Sequence, residues 1–370
     1  MHQSLHRAAL RQRPRRRFAY RLCSSAFRRG TPIRTYNLAL VGFGNVGKEF
    51  VRLLLAKREI LRRDYAVEWR LTGVASRRLG WIADPAGLDA VALLENKFPE
   101  TPMWKRAQNL HQWLCTADPG VFFEATSLDW RTGQPATDHI RAAIESGAHA
   151  VSANKGPIVH AYRELRDLAR AKGRKFLFES AVMDGTPIFS MFPHSLPATE
   201  LRGFRGVLNA TTNVVLTEME KGATLDEAVL RAQQMGIAET DPSADLDGWD
   251  AAVKVAALAI VLMDARLTLD QIERTGIRAI SPADIRSAAA AGRRYKLVCR
   301  AQRNADGSVR ASVGPEQLPF SDPLAQLDGS ESAIRFDLDV FGLSLIEHEY
   351  ERGALAPAYG LLADFIHAVS

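Results

Sequence analysis

The chain has 370 residues, 46% of them hydrophobic and 24% charged, with three cysteines and a formal charge of +6. That length can hold two or three domains with substantial cores, and no apolar run is long enough for a membrane-spanning helix. Cys23, Cys115 and Cys299 have no paired spacing, which argues against a disulfide framework or a zinc site and fits a reducing compartment.

The positive charge is confined to one end. Ten arginines fall between Arg7 and Arg34 with no acidic residue before Glu49, whereas the rest of the chain carries 38 basic residues against 42 acidic ones. Such a tail reads as an organellar transit peptide, a nucleic-acid arm, or an upstream start translated in an arginine-biased genome, since arginines outnumber lysines 38 to 10. Residues 1–35 are expected to be disordered and outside the fold. The expected location is the cytoplasm, or an organelle if the tail is a transit peptide.

Folded structure is expected from Tyr36. Leu38 to Val41 form a short apolar strand that runs directly into Gly42, Phe43, Gly44, Asn45, Val46 and Gly47. In this strand–turn–helix context Gly42 permits the tight turn and Gly44 lets the backbone approach a pyrophosphate. Gly47 lets the helix pack on the strand, and the first helical N–H groups face the anion. The alternative is a merely tight turn. The helix is expected through about Arg62, with Phe50, Leu53, Leu54 and Ile60 inward, and a second strand ends near Val74 and Ala75. Where an acidic residue would favour NAD, the chain has Ser76, Arg77 and Arg78, which leans toward the 2′-phosphate of NADP. Residues 79–110 read only as helix and loop. Further βα units follow: strand Val121 to Ala125, helix near Pro135 to Ser146, strand Ala148 to Ser152, helix from about His160, strand Lys175 to Phe178. This alternation implies a parallel sheet with right-handed crossovers.

The most informative segment lies further on. From Trp249 to Met263 every residue except Asp250 and Lys254 is apolar, so the helix is expected to be surrounded by protein. Asp250 lies one turn before Lys254 on the same face, and Glu239, Asp241, Asp245 and Asp247 crowd the preceding loop. Burial lowers a lysine pKa and carboxylates raise it, so the pair is expected to tune Lys254 toward neutrality for proton transfer. The bland alternative is a solvated ion pair beside a capping loop.

Taken together the motifs resemble homoserine dehydrogenase from about Tyr36 to the end. They are Gly42 to Gly47, Glu124-Ala125-Thr126-Ser127, Ser152-Ala153-Asn154-Lys155, Glu179 to Pro187, Leu208 to Asn213, and the Glu239 to Lys254 block. The resemblance implies NAD(P)-linked interconversion of L-aspartate 4-semialdehyde and L-homoserine, on the route to threonine, methionine and isoleucine. It also implies a homodimer formed through about Tyr295 to Leu327. It makes Lys254, Asp250 and Lys155 catalytic and gives Glu239, Asp245 and Thr211 to the substrate. Gly42, Gly44, Asn45, Val46, Gly47, Arg77, Thr126, Ser127 and Lys155 go to the cofactor, NADP or NAD. Relatives hold a monovalent cation at the turn matching Glu179, Val182 and Asp184, so Na⁺ or K⁺ is expected there.

Some positions depart from the family pattern. Met183 and Asp184 stand where small residues are usual, Ala210 replaces a glycine and is expected to narrow a turn, and Leu355 and Ala358 break a small-residue segment. The departures leave open a related reductase of another small amino aldehyde or keto acid. An acylating aldehyde dehydrogenase would need an activated thiol, for which Cys115 has no setting. A dinucleotide-sensing or nucleic-acid-binding module rests on the tail alone, because the remainder has no basic stripe or stacking pattern, so neither nucleic acid nor membrane is an expected partner.

The expected fold class is α/β: a Rossmann-type dinucleotide-binding domain, residues 36–178 plus 342–370, the latter a C-terminal helix from about 342, joined to an α+β domain, residues 179–341. Within the latter, about 190–283 would be catalytic and about 284–341 would form the dimer. No appended regulatory domain is expected.

Overall fold

The computed structural model describes residues 32–97, 105–348 and 353–370. The basic tail up to Thr31 therefore lies outside the described residues. None of the described helices is long and apolar enough to cross a membrane.

The first half is a seven-stranded sheet. In chain order it comprises β1 (Arg34–Val41), α1 (Asn45–Tyr65), β2 (Val67–Ser76), β3 (Gly80–Ala83), α2 (Ala90–Leu94), β4 (Lys105–Ala107), α3 (Leu110–Ala117), β5 (Val121–Glu124), α4 (Ala136–Glu145), β6 (His149–Ser152), α5 (Gly156–Ala171) and β7 (Phe176–Leu177). The strand order is β4-β3-β2-β1-β5-β6-β7. β1 is paired on both sides by parallel strands, which is why Leu38, Ala39, Leu40 and Val41 are apolar without alternation. Chain order reverses direction at β1, so a crevice opens beyond the carboxyl ends of β1 and β5.

Three local readings need correction. β1 starts at Arg34, two residues early, because the Arg34 amide donates to Ala66 O and the strand pairs with Val67 onward. On α1 the buried residue is Leu61, while Ile60 stays exposed: Leu61 continues the Leu54 face after seven residues, two helical turns. Within 79–110 lie two antiparallel strands, β3 and β4, that extend the sheet edge.

The second half comprises α6 (Met191–Ser195), β8 (Leu201–Val207), α7 (Ala210–Glu220), α8 (Leu225–Gln234), α9 (Ser243–Leu246), α10 (Trp249–Leu262), β9 (Glu273–Arg274), α11 (Pro282–Ala290), β10 (Arg293–Arg303), β11 (Val309–Pro319), β12 (Ser332–Leu338) and β13 (Gly342–Glu347). One sheet, β13-β12-β8-β10-β11-β9, runs through all of it. Strands from about 190–283 and from 284 onward thus interleave, and β8 pairs with both β10 and β12. Gly342–Glu347 also differs from expectation. It is an edge strand here rather than part of the nucleotide-binding half, because GLSLIE alternates with the period of a half-buried strand. Only α12 (Leu355–Val369) returns, burying Leu361, Leu362 and Phe365 against α1 and the first sheet, with Phe365 edge-on to Tyr36 and Phe123.

α10 packs on α5 from the first half and on β10 and β11 from the second. A helix covered from both sides has no wet face to keep polar, which accounts for its apolar composition.

Candidate active site

The glycine turn forms one wall. Gly42 has φ of 99°, and a Cβ there would lie 2.3 Å from Ala125 backbone atoms; one at Gly47 would lie 2.2 Å from Gly42 O. Glycine is therefore required for β1, β5 and α1 to come this close. Gly44, by contrast, has open space on its Cβ side and is exposed together with Asn45, beside a partly covered Val46. No side chain caps the start of α1, so its first amides are free for an anion. The turn thus fits a dinucleotide pyrophosphate. Arg77 and Arg78 are exposed in the β2–β3 turn.

The segment after β5 is held from two sides. Glu124, fully buried, accepts from the Thr126 amide at 2.8 Å and from the Thr126 hydroxyl, and its other oxygen lies 2.7 Å from His139 Nδ1. Asn154 Nδ2 donates to Thr126 O at 3.2 Å and Ser127 O at 3.3 Å, while its Oδ1 accepts from Gly156 N at 2.9 Å. Two βα loops are thereby tied together, with Thr126 and Ser127 at the crevice edge.

The opposing wall is the first turns of α10. Lys254 Nζ lies 3.0 Å from Asp250 Oδ2 and donates to Leu208 O at 2.6 Å. The other Asp250 oxygen lies 3.3 Å from Lys155 Nζ, at the start of α5. Asn209 caps α7 by accepting from Thr212 N at 2.8 Å and donates to Asp245 Oδ1 at 2.7 Å and Asp250 Oδ2 at 2.9 Å. Thr211 lies near Asp245, and its hydroxyl donates to Ile237 O at 3.3 Å. Lys155, Asp250 and Lys254 keep 16%, 19% and 18% of their side-chain surface, so the group is largely shielded from solvent.

Charge is distributed unevenly. Burial works against ionisation of Asp250, yet Lys254 and Lys155 outweigh it and hold this carboxylate well below its usual range. Burial and the charge on Asp250 push Asp245 up. For Lys254 the expected drift toward neutrality is overturned. Burial lowers its pKa, but Asp250, with Asp184 and Asp245, more than compensates and holds the ammonium above its ordinary value. In this cluster Lys254 is a stored proton.

Not every expected residue joins the cluster. Glu239 is exposed on the loop after α8, and only its carbonyl is engaged, by Gln233. Ala210 is the first residue of α7 and narrows no turn there, since helical geometry accepts alanine without strain. The Glu179 side chain is buried and satisfied: its oxygens accept from Phe189 N and Ser190 N, both at 2.7 Å, and its own amide donates to Asp364. That carboxylate is a clasp between segments. Val182 is fully buried, and Met183 and Asp184 adopt left-handed φ of 52° and 51°, which glycine alone would do without strain. No group of three or more His, Cys, Asp or Glu is placed to hold a metal among the described residues.

Asn154, Asn209 and Glu124 were not assigned roles from sequence, although each lies within a recognised motif. An asparagine directly before a helix was the available signal for Asn209.

A doubly wound sheet with a dinucleotide turn at its switch point, faced by a lysine held protonated between carboxylates, defines a nicotinamide-dependent oxidoreductase. Known proteins agree. The family description "Homoserine dehydrogenase, NAD binding domain" matches residues 42–179, and "Homoserine dehydrogenase" matches residues 187–366. An NAD(+)-dependent homoserine dehydrogenase from Pseudomonas canavaninivorans is 37% identical, over 90% of this chain and 96% of its own. The homoserine dehydrogenase of Methanocaldococcus jannaschii is 31% identical over 90% and 98%. Among solved structures, a hyperthermophilic archaeal homoserine dehydrogenase in complex with NADPH superposes with a TM-score of 0.76 at 27% identity, covering 91% and 98% of the two chains. The chain belongs to the homoserine dehydrogenase family. It is an oxidoreductase that interconverts L-homoserine and L-aspartate 4-semialdehyde with a nicotinamide cofactor, in amino-acid biosynthesis.

Proposed function

We propose that Lys254 is the group that meets the substrate oxygen, donating its proton when the aldehyde is reduced. The observation that carries this is the Lys254–Asp250–Lys155 array, in which one ionised carboxylate keeps two ammonium groups in place at the crevice. The cofactor, when bound, supplies or accepts the hydride at the substrate carbon. Negative charge on the substrate oxygen is met by Lys254, with Lys155 as the second cation. Asp245 and Thr211 take the substrate ammonium, with Glu239 at the rim. Gly42, Gly44, Asn45, Val46 and Gly47 hold the pyrophosphate through backbone contacts, and Thr126 and Ser127, ordered by Glu124 and Asn154, border the nicotinamide.

A preference for NADP is proposed from Arg77 and its neighbour Arg78, against the NAD(+)-dependence of the Pseudomonas relative. A Na⁺ or K⁺ ion at the Glu179–Asp184 turn would be held by backbone carbonyls, since the Glu179 carboxylate is already engaged. Self-association is proposed through the sheet face opposite the helices, where Arg205, Arg300, Arg335 and Asp337 line a concavity of about 540 Å³. The decisive experiment is turnover of homoserine with each cofactor by wild type and Lys254→Ala. A fall of about two orders of magnitude or more in a folded variant supports the role, and near-wild-type turnover removes it.

A further inference from the structure

A four-tiered stack crosses between the two halves of the molecule. Trp130, in the segment between β5 and α4, stacks on Trp249, the first residue of α10, with ring centroids 4.0 Å apart and planes 18° from parallel. Arg131 covers the outer face of Trp130 at 4.2 Å, and Arg274 of β9 covers that of Trp249 at 3.7 Å. Gly248, at φ of 80°, lets the chain turn into α10 beneath the Arg274 stem, and Arg274 also donates to Asp247 O. His160 of α5 donates to the Trp130 carbonyl at 2.9 Å.

The column joins the two segments that carry the walls of the crevice. Trp130 follows Thr126 by four residues, and Trp249 immediately precedes Asp250. Asn154 links Thr126 to the Lys155 loop, and Lys155 reaches Asp250, so the column and the Lys155–Asp250 pair are two struts of one closed circuit. The ion pair alone limits a distance and leaves α10 free to roll. Two stacked planes limit the roll as well, and a cation on each outer face favours that geometry.

We infer that the Arg131–Trp130–Trp249–Arg274 column is a positioning element that fixes the roll of the first turn of α10, and with it Lys254, against the nucleotide wall. Both indoles are only half-buried, so the core does not depend on them. This inference rests on the active-site reading above, which Lys254→Ala tests separately.

The test uses the full-length protein with Trp130→Ala, Trp249→Ala, the double variant and Trp249→Phe. Readouts are kcat, KM for homoserine, binding of reduced cofactor by nicotinamide fluorescence, and the far-ultraviolet exciton couplet of stacked indoles. Each alanine variant should lose the couplet and about 10²-fold in kcat, the scale of a misplacement of about 1 Å, while cofactor affinity stays within about threefold. Trp249→Phe should recover most of the rate, and the double variant should be no worse than either single one, because both break the same strut. Unchanged kcat in folded alanine variants that have lost the couplet, or losses that multiply in the double variant, would overturn the inference. Should Trp249→Ala not fold, Trp130→Ala, on the loop side, decides alone. Loss of rate in Lys254→Ala beside normal rates in the tryptophan variants would sink the column and spare the site.

Discussion

Asp250 Oδ2 lies 3.0 Å from Lys254 Nζ, one helical turn apart, and this contact sets the protonation state of the lysine. Lys254 is held above its ordinary value of 10.5 against the cost of burial, chiefly by Asp250. In Asp250→Asn burial acts with less opposition, so the lysine pKa falls. Wild-type reduction of the aldehyde should stay flat from about pH 7 to about pH 10, whereas the variant should decline at the alkaline end of that range. A pH–rate profile of kcat/KM distinguishes the two. Superimposable profiles would mean that Lys254 is not the proton donor.

Asn209 separates two carboxylates that would otherwise face each other. Its amide donates to Asp245 and to Asp250, and the hydrogen bond lowers the pKa of Asp245 against burial. With Asn209→Ala, Asp245 should hold its proton to higher pH and attract the substrate ammonium less. KM for homoserine should rise by about tenfold, the worth of one hydrogen bond to a charged group, and rise further as pH falls. Loss of the helix cap adds roughly 1 kcal/mol of destabilisation, readable as a lower Tm. A fall in Tm with KM unchanged would leave Asn209 as a cap only.

Much of this geometry could be read from residue order because it is local. The Asp250–Lys254 spacing and the glycine turn are properties of a few consecutive residues, and α10 announces its surroundings by lacking any polar face but one. What depends on distant segments was not legible. The parts that Asp184 and Asp245 play in the Lys254 shift require distant segments to be brought near it, and the closure of the Glu179 carboxylate requires the amides of Phe189 and Ser190. β13 reads as the start of the C-terminal helix for a different reason: an exposed edge strand buries only one face, and its six residues carry a weak signal.

Arg77 is the residue proposed to tell the two cofactors apart. It is exposed at the turn after β2, where the adenosine ribose of a bound dinucleotide would lie in this fold. Removing its charge should weaken NADP by about tenfold or more and NAD by less than about threefold, since only NADP carries the 2′-phosphate. Steady-state KM values for both cofactors with Arg77→Ala measure this. Equal weakening of both would assign the cofactor preference elsewhere.

Lys296 offers a test of stability independent of catalysis. It is fully buried on β10, where Nζ donates to Asn213 Oδ1 at 2.7 Å and Leu327 O at 2.5 Å. Burial, aided by Arg294 and opposed by Glu220, Asp328 and Glu331, lowers its pKa to about 8 from 10.5. Between those values the unfolded chain binds a proton that the native state has released, so this group makes stability rise with pH across the window. The gain is on the order of 3 kcal/mol by about pH 10.5 and is absent below about pH 8. Cys299, pushed up to about 12 by burial, acts in the opposite sense above about pH 9, so the comparison must be between proteins that share it. Denaturant midpoints of wild type and Lys296→Met, taken at intervals from neutral to alkaline pH, should show the wild-type advantage growing through the window. A difference that stays constant with pH would show that Lys296 remains charged in the folded protein.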